Sequence, residues 1–273
     1  MERPLTEFSV RRVALWVAYD GRNTCGWQIQ RQGRTVQGML EEACLAIFGR
    51  AVRITGAGRT DAGVSAWGQV AHADIPGEFP VPDDRLEHLL NRALPPEIRI
   101  LGTVGVAPSF HARHSARMKI YCYAFRWLPD SLRRHPGDRP FSGPIHRPFV
   151  LERAEQAGRM FLGTHDFRHF TVAASCPEDP VRTISGLFWE RTPDGLSLWI
   201  SGPGFLHKMV RMIGGYLRDV ATGARTAEDL PLLLEGGSPP PLRPVDPLPP
   251  EGLALVRVLY RPPDPFDPRT GTG

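Results

Sequence analysis

Apolar residues in the first part of the chain recur with two different periods, one typical of strands and one typical of helices. Residues 13–19 form a run of apolar, β-branched and aromatic side chains, which predicts a strand. Residues 36–48 carry apolar side chains three and four positions apart, which predicts an amphipathic helix. Thr35 is a suitable N-cap for this helix, and Gly49 is a suitable stop.

The elements that follow complete the order βαββαβ, the split βαβ arrangement. Strands are predicted at residues 51–55, 67–75 and 99–104. A second helix carries apolar residues at helical spacing from Leu86 to Leu94 and ends at Pro95-Pro96.

The second half of the chain repeats this order. Strands are predicted at residues 119–128, 181–191, 196–201 and 254–260, and helices at 151–162 and about 205–221. The turn Thr192-Pro193-Asp194-Gly195 joins the second and third of these strands. In the first strand, strict alternation puts Tyr121, Tyr123, Phe125 and Trp127 on one face.

We therefore predict an α/β (α+β) fold of two pseudo-symmetric βαββαβ domains, similar to ferredoxin and RRM domains. Their sheets are expected to be mainly antiparallel and to lie side by side, with a central cleft as the default place for a site. The predicted boundaries are residues 8–106 and 107–262, followed by a disordered tail at 263–273.

Composition permits a nucleic-acid partner without requiring one, since the net charge is +4 and the pI about 9.1. Four separated cysteines without a CxxC pair argue against a zinc site or a disulfide framework. No apolar run is long enough to span a membrane, and no apolar signal segment opens the sequence, so we expect a cytoplasmic protein. The basic residues of the loop 129–148 fit either an arm over a phosphate backbone or a solvated charged loop.

The stretch most suggestive of chemistry is GAGRTDAGV at residues 56–64, which places Arg59, Thr60 and Asp61 among three glycines between two predicted strands. Such a loop can hold one carboxylate at a fixed position above a sheet. It lacks the features of a P-loop, a dinucleotide fingerprint, a GxSxG elbow or a carboxylate cluster for metal. From spacing alone, an ordinary Asp-Gly turn accounts for it equally well.

This loop, followed by Trp67-Gly68-Gln69-Val70-Ala71-His72, resembles the signature of the tRNA pseudouridine synthases that act in the anticodon arm, the tRNA pseudouridine synthase A family. The resemblance spans roughly residues 13–260 and rests on several motifs in family order. These motifs are Tyr19-Asp20-Gly21, Cys25-Gly26-Trp27-Gln28, Thr35-Val36-Gln37-Gly38, Leu89-Leu90-Asn91, Phe110-His111-Ala112-Arg113, Asp166-Phe167, Val181-Arg182-Thr183-Ile184 and Phe205-Leu206-His207-Lys208-Met209-Val210-Arg211.

The resemblance implies an isomerisation that needs neither a cofactor nor a metal. Uridine is detached from its ribose and rejoined through carbon, at tRNA positions 38, 39 and 40. The base must be extruded from the tRNA stack before it reacts. The resemblance also implies a homodimer in which one tRNA contacts both subunits, and no membrane partner.

Five residues acquire roles through the resemblance. Asp61 is the implied catalytic carboxylate, which attacks covalently or takes a proton from the ribose. Arg211 is its implied cationic partner; from spacing alone it is a surface arginine beside a core stripe. Tyr121 would stack on the uracil, although it also fits a packed strand face. Arg59 would fill the gap or clasp the phosphate, unless it merely bonds loop carbonyls. Lys119 would carry the positive charge that an arginine more often supplies.

The chain departs from the family pattern at a few positions, namely Lys119, Ser65, Pro203 and Gly204. Ser65 stands where the family usually has histidine, and Pro203-Gly204 replaces the usual Asn-Ala. Three other functions remain open from the sequence. These are a non-catalytic RNA-binding protein with paired RRM-like halves, a pseudouridine synthase with another RNA target, and a small-molecule hydrolase. No triad or metal motif in the sequence supports the hydrolase.

Overall fold

The structure, a computed structural model, describes residues 10–77, 79, 81–127, 149–236, 244–262 and 264–266, and the backbone of 143–145. The chain forms two compact units. Unit 1 runs to Arg117 and takes up the chain again at Val258, and unit 2 runs from Met118 to Arg257. The division at 117/118 lies 11 residues after the predicted boundary at 106/107, and the residues of the last strand are divided between the two units. The predicted basic loop 129–148, apart from the backbone of 143–145, and the tail beyond 266 lie outside the described residues.

Unit 1 contains the predicted βαββαβ order. Its elements are β1 (Val10–Tyr19), α1 (Val36–Phe48), β2 (Ile54–Gly56), β3 (Ser65–Pro76), α2 (Asp83–Ala93) and β4 (Ile98–Gly105). The strand order is β4-β1-β3-β2, and each neighbouring pair is antiparallel. The first crossover, β1-α1-β2, therefore leaves a gap that β3 fills, as the split βαβ arrangement requires.

Local signals explain where α1 begins and ends. The Thr35 side chain accepts a hydrogen bond from Gly38 N, and Gly49 adopts a left-handed φ of 68° just beyond the helix. Both predicted caps are confirmed, and they satisfy backbone groups that a helix end leaves unpaired. The core of unit 1 draws on the strands and on both helices. Its most buried members include Val13, Leu15, Val17, Val36, Leu40, Leu86, Leu90 and Ile98.

Unit 2 repeats the order with additions. Its elements are β5 (Ala116–Trp127), β6 (Gly143–Ile145), α3 (Leu151–Met160), β7 (Gly163–Asp166), β8 (Val181–Ile184), β9 (Gly186–Thr192), β10 (Gly195–Gly202), α4 (Met209–Thr222), α5 (Leu230–Leu234) and β11 (Leu253–Tyr260), with one-turn 3-10 helices at Arg168–Phe170, Ala173–Ser175 and Pro250–Gly252. Its strand order β11-β5-β10-β9 corresponds to that of unit 1. The predicted fold class, two related α+β domains with mainly antiparallel sheets, is confirmed.

Two predicted elements of unit 2 differ from the structure. The single strand expected at 181–191 is divided at Ser185, because β8 pairs with β7 in a separate sheet whereas β9 pairs with β10. The helix expected from about 205 starts at Met209, because Lys208 has a φ of 60°, which is incompatible with a helix interior. None of the helices in the described ranges is long and apolar enough to cross a membrane.

The segment after β4 is anchored within unit 1 by a buried histidine. His72 on β3 accepts a hydrogen bond at Nδ1 from Ala112 N at 3.1 Å, and Tyr260 OH donates to Ala112 O at 2.8 Å. Burial, reinforced by the charge of His111, lowers the pKa of His72 from 6.5 to about 4. The imidazole is therefore neutral near pH 7 and serves as an acceptor.

Acid is expected to destabilise the wild-type protein more than a His72→Gln variant. The unfolded imidazole binds its proton near pH 6.5, whereas the folded one does so only near pH 4. The stabilisation present above pH 6.5 is thus lost as the pH falls towards 4. One pKa unit corresponds to about 1.4 kcal/mol, so this contribution reaches roughly 3 kcal/mol. Urea unfolding at several pH values, with the exposed His88→Gln as control, measures it. Parallel pH profiles for the wild type and His72→Gln would contradict the assignment.

Unit 1 continues beyond β11. Asp264 is buried and accepts a hydrogen bond from Tyr260 N at 3.1 Å, and the Phe266 ring lies 5.8 Å from the Trp16 ring on β1. Residues 264–266 therefore contact unit 1, and they fall within the tail 263–273 that the sequence predicted to be disordered. The predicted tail carries an acidic group that caps the end of β11 and an aromatic ring that covers β1.

Candidate active site

The loop that carries Asp61 connects β2 to β3 and is fixed at both ends. Ala57 N donates to Val70 O at 2.7 Å, and Val64 N donates to Asp61 O at 3.1 Å. Gly63 closes this turn with a φ of 83°, a conformation that favours glycine. Arg59 is exposed and Asp61 is half-buried, so both side chains are accessible from outside unit 1.

A second segment, which the sequence did not assign to the site, contacts this loop through its backbone. Trp27 N donates to Thr60 O at 3.1 Å. Gly26 has a φ of 87°, and a Cβ there would lie 2.6 Å from Thr60 O and 3.0 Å from Ala62 N. The backbone of Gly26-Trp27 therefore approaches the Asp61 loop too closely for any side chain at position 26.

We expect Gly26→Ala to impair any activity that depends on the Asp61 loop, as well as stability. The added methyl meets backbone rather than a flexible side chain, and the φ is strained for alanine. The loop must shift by several tenths of an ångström, and misplacement of about 1 Å can lower a rate about 10²-fold. Circular dichroism melting and turnover rates measure both effects. Gly49→Ala is a matched control, because Gly49 has a φ of 68° and no non-neighbouring atom of the described residues lies within 4 Å of an added Cβ. It should lose stability while its turnover stays near that of the wild type.

Two buried polar side chains from the strands also reach the loop. Tyr19 on β1 shares a hydrogen bond of 2.8 Å with Thr60 Oγ1, and Gln69 Nε2 on β3 donates to Gly58 O at 2.8 Å. Burial raises the pKa of Tyr19 to about 12, so its phenol is a neutral hydroxyl near pH 7. The sequence placed Tyr19 and Gln69 in motifs but assigned neither a role, because both fall within predicted strands.

Ser65, one of the departures from the family pattern, has a structural role beside the loop. Its Oγ accepts a hydrogen bond from Gly21 N at 3.1 Å. The neighbouring Asp20 pairs with Arg22 at 2.6 Å, and this pairing lowers the pKa of the Asp20 carboxyl. Serine thus ties the turn after β1 to the start of β3.

In unit 2, Arg211 lies in the first turn of α4 and is only 8% exposed. Its Nε donates to Leu248 O at 2.7 Å, and Leu248 N donates back to Arg211 O at 3.0 Å. The alternative of a surface arginine is therefore wrong. The guanidinium is held in one orientation by the backbone of the segment before β11.

Tyr121 and Lys119 lie on β5. The Tyr121 ring is buried and packs edge-to-face against Phe205, with ring centroids 5.1 Å apart. Lys119 is half-buried and pairs with Gly202 of β10 in the sheet register. Gly204 is another departure from the family pattern. A Cβ added there would lie more than 4 Å from every non-neighbouring atom of the described residues, so steric crowding does not explain glycine at this position.

The predicted site residues are thus divided between the units. Arg59 and Asp61 belong to unit 1, whereas Lys119, Tyr121 and Arg211 belong to unit 2. Within the described ranges, no group of three or more histidine, cysteine, aspartate or glutamate side chains is placed to hold a metal ion.

Comparison with known proteins identifies the family. The family model described as tRNA pseudouridine synthase matches residues 15–113 and 157–261. The tRNA pseudouridine synthase A of Akkermansia muciniphila is 40% identical over 259 residues, covering 91% of this chain and 95% of that protein. Those of Halalkalibacterium halodurans (40%; 84% and 86% covered) and Acetivibrio thermocellus (38%; 92% and 100% covered) are similar. The chain therefore belongs to the tRNA pseudouridine synthase family, whose members are isomerases.

Proposed function

We propose that the protein converts uridine to pseudouridine in the anticodon stem-loop of tRNA, at positions 38, 39 and 40, with Asp61 as the catalytic nucleophile. The observation that carries this proposal is the placement of Asp61. Its loop is anchored to β1, β3 and the Gly26-Trp27 backbone, yet Asp61 itself is only half-buried. An anchored but accessible carboxylate suits attack on a bound substrate.

One carboxylate is enough for this chemistry, and the reaction consumes no other reagent. The reaction breaks the bond between ribose C1′ and uracil N1 and forms one between C1′ and C5; the C5 proton is lost to solvent and N1 takes up another, so product and substrate are isomers. An ionised Asp61 either attacks the ribose or takes a proton from it, and returns to its starting state at the end. We accordingly propose that neither a cofactor nor a metal takes part.

Residues of unit 2 complete the proposed site. Arg211 is the proposed cationic partner of Asp61, and its hydrogen bond to Leu248 O supports a defined position for the guanidinium. Tyr121 is proposed to stack on the target uracil, with Phe205 fixing its ring plane.

The remaining proposed contacts are with the tRNA backbone and the vacated stack. Arg59, exposed between Gly58 and Thr60, is proposed to enter the gap left by the extruded base or to clasp its phosphate. Lys119 is proposed to contact a phosphate. We further propose that the enzyme is a cytoplasmic homodimer and that one tRNA contacts both subunits.

Tritium release from tRNA labelled at uracil C5 tests the proposal, because forming the C1′–C5 bond displaces that hydrogen. We expect release that depends on enzyme and stops when the sites at positions 38–40 are exhausted. Binding of tRNA without release would instead indicate a non-catalytic RNA-binding protein. Sedimentation velocity with and without tRNA tests the dimer, and a monomer carrying one tRNA would refute that part.

A further inference from the structure

Side-chain exposure alternates along the loop before Asp61. Arg59 is exposed, Thr60 is only 7% exposed, and Asp61 is half-buried. Thr60 therefore points into unit 1, while its two neighbours point away from the core. The conformation of the buried residue in the middle determines where the side chains on either side are directed.

Thr60 is held through both its backbone and its side chain. Its carbonyl accepts from Trp27 N at 3.1 Å, and its hydroxyl is bonded to the Tyr19 hydroxyl at 2.8 Å. Two positions before Thr60, the carbonyl of Gly58 accepts from Gln69 Nε2 at 2.8 Å. The residues on both sides of Arg59 are thus held in place, Gly58 by a side chain of β3 and Thr60 by a side chain of β1 and the backbone of Trp27.

The polar groups that make these contacts are unusual for their surroundings. Tyr19 is 4% exposed and Gln69 is fully buried. Among the described residues, nothing donates a hydrogen bond to Gln69 Oε1. A buried carbonyl oxygen without a donor costs free energy, whereas the amide nitrogen of the same side chain supplies the donor for Gly58 O. The amide at position 69 is therefore explained by its hydrogen bond to the loop that carries Asp61.

We propose that Tyr19, Thr60 and Gln69 form a positioning clamp, which sets the direction of the Asp61 carboxylate for the isomerisation. These three residues act through Asp61 and do not touch the substrate. The inference rests on the proposed function, because it requires Asp61 to be the catalytic group. Since catalysis depends steeply on the placement of the reacting group, loosening the clamp should lower the rate constant of the chemical step and leave tRNA binding intact.

Substitutions that remove one hydroxyl at a time test the clamp. Thr60→Val keeps the β-branched shape but cannot bond to Tyr19, and Tyr19→Phe removes the other hydroxyl of the same bond. For each we expect a fall of about 10- to 100-fold in the single-turnover rate at saturating enzyme. The dissociation constant for tRNA should stay within about threefold. Thr60→Ser retains the hydroxyl and should restore most of the rate.

The double variant Tyr19→Phe/Thr60→Val separates positioning from stability. In Thr60→Val the Tyr19 hydroxyl loses its bond to Thr60, which lowers the melting temperature; in the double variant both hydroxyls of that bond are gone, so the melting temperature should partly recover. The rate should not recover, and it should fall no further than in the slower single variant, because both changes break one bond. Tyr260→Phe, which loses a comparable buried bond to Ala112 O, is the control and should keep its rate.

Several results would overturn the clamp. These are a wild-type rate in folded Thr60→Val or Tyr19→Phe, rate losses that multiply in the double variant, or an equal rate loss in Tyr260→Phe. Asp61→Asn distinguishes this failure from failure of the proposed function. If Asp61→Asn is inactive while the clamp variants are fully active, only the clamp is refuted. If Asp61→Asn is active, the proposed function itself fails.

Discussion

Replacing Asp61 by asparagine is expected to lower the rate of pseudouridine formation by roughly 10³-fold or more, the scale of loss seen when a catalytic nucleophile is removed. The amide has almost the shape of the carboxylate, but it carries no charge and neither attacks the ribose nor accepts its proton. Because the loop is anchored through Gly58, Thr60 and the Gly26-Trp27 backbone, the variant should fold normally. Tritium release and tRNA binding, measured on one preparation, separate turnover from affinity.

The control for this prediction is Asp84→Asn, which removes the same charge from an exposed position in the first turn of α2. Its turnover should match that of the wild type, and its helix α2 should be slightly less stable. An Asp61→Asn variant with a rate near that of Asp84→Asn would remove Asp61 from the mechanism.

Replacing Arg211 by alanine should lower turnover by roughly 10²-fold or more, with tRNA affinity changed only a few-fold. Loss of the guanidinium removes the proposed cationic partner of the Asp61 carboxylate. It also removes the bond to Leu248 O, so a loss of about 1–2 kcal/mol in stability should accompany the effect. Arg211→Lys keeps the charge without the planar fork and should be intermediate in turnover.

Arg218→Ala is the matched control on the same helix. Arg218 pairs with the buried Asp219 at 2.8 Å, so its loss destabilises unit 2 without touching the proposed site. If Arg218→Ala and Arg211→Ala lose stability and turnover in the same proportion, Arg211 is structural. If Arg211→Ala alone loses turnover, the proposed role stands. Turnover should be compared well below the melting temperature of each variant.

Much of the fold is predictable from local signals, and the exceptions have identifiable causes. The bounds of α1 follow from its apolar period and its caps. The division of the 181–191 strand does not, because an uninterrupted β pattern crosses Ser185, and only the choice of pairing partner separates β8 from β9. The late start of α4 depends on the left-handed backbone of Lys208, which no propensity for lysine indicates.

The residues of the candidate site also fall into those that the sequence indicates and those that only the folded structure reveals. The glycines around Asp61 mark its loop as unusual, and the resemblance to the family supplies the role of the carboxylate. Tyr19 and Gln69 carry no such mark. An aromatic residue at the end of an apolar strand and an amide within another are ordinary in sequence, and their importance depends on contacts made across the folded unit. The burial of Arg211 is likewise a tertiary property, since its position on the helix pattern favoured a surface residue.

The measurement that tests the central claim most directly is position-resolved mapping of pseudouridine in an unmodified tRNA transcript, after incubation with the wild-type enzyme and, in parallel, with Asp61→Asn. We predict pseudouridine at uridines in positions 38, 39 and 40 with the wild type and none with Asp61→Asn. Pseudouridine confined to other positions, or equal modification by Asp61→Asn, would contradict the account.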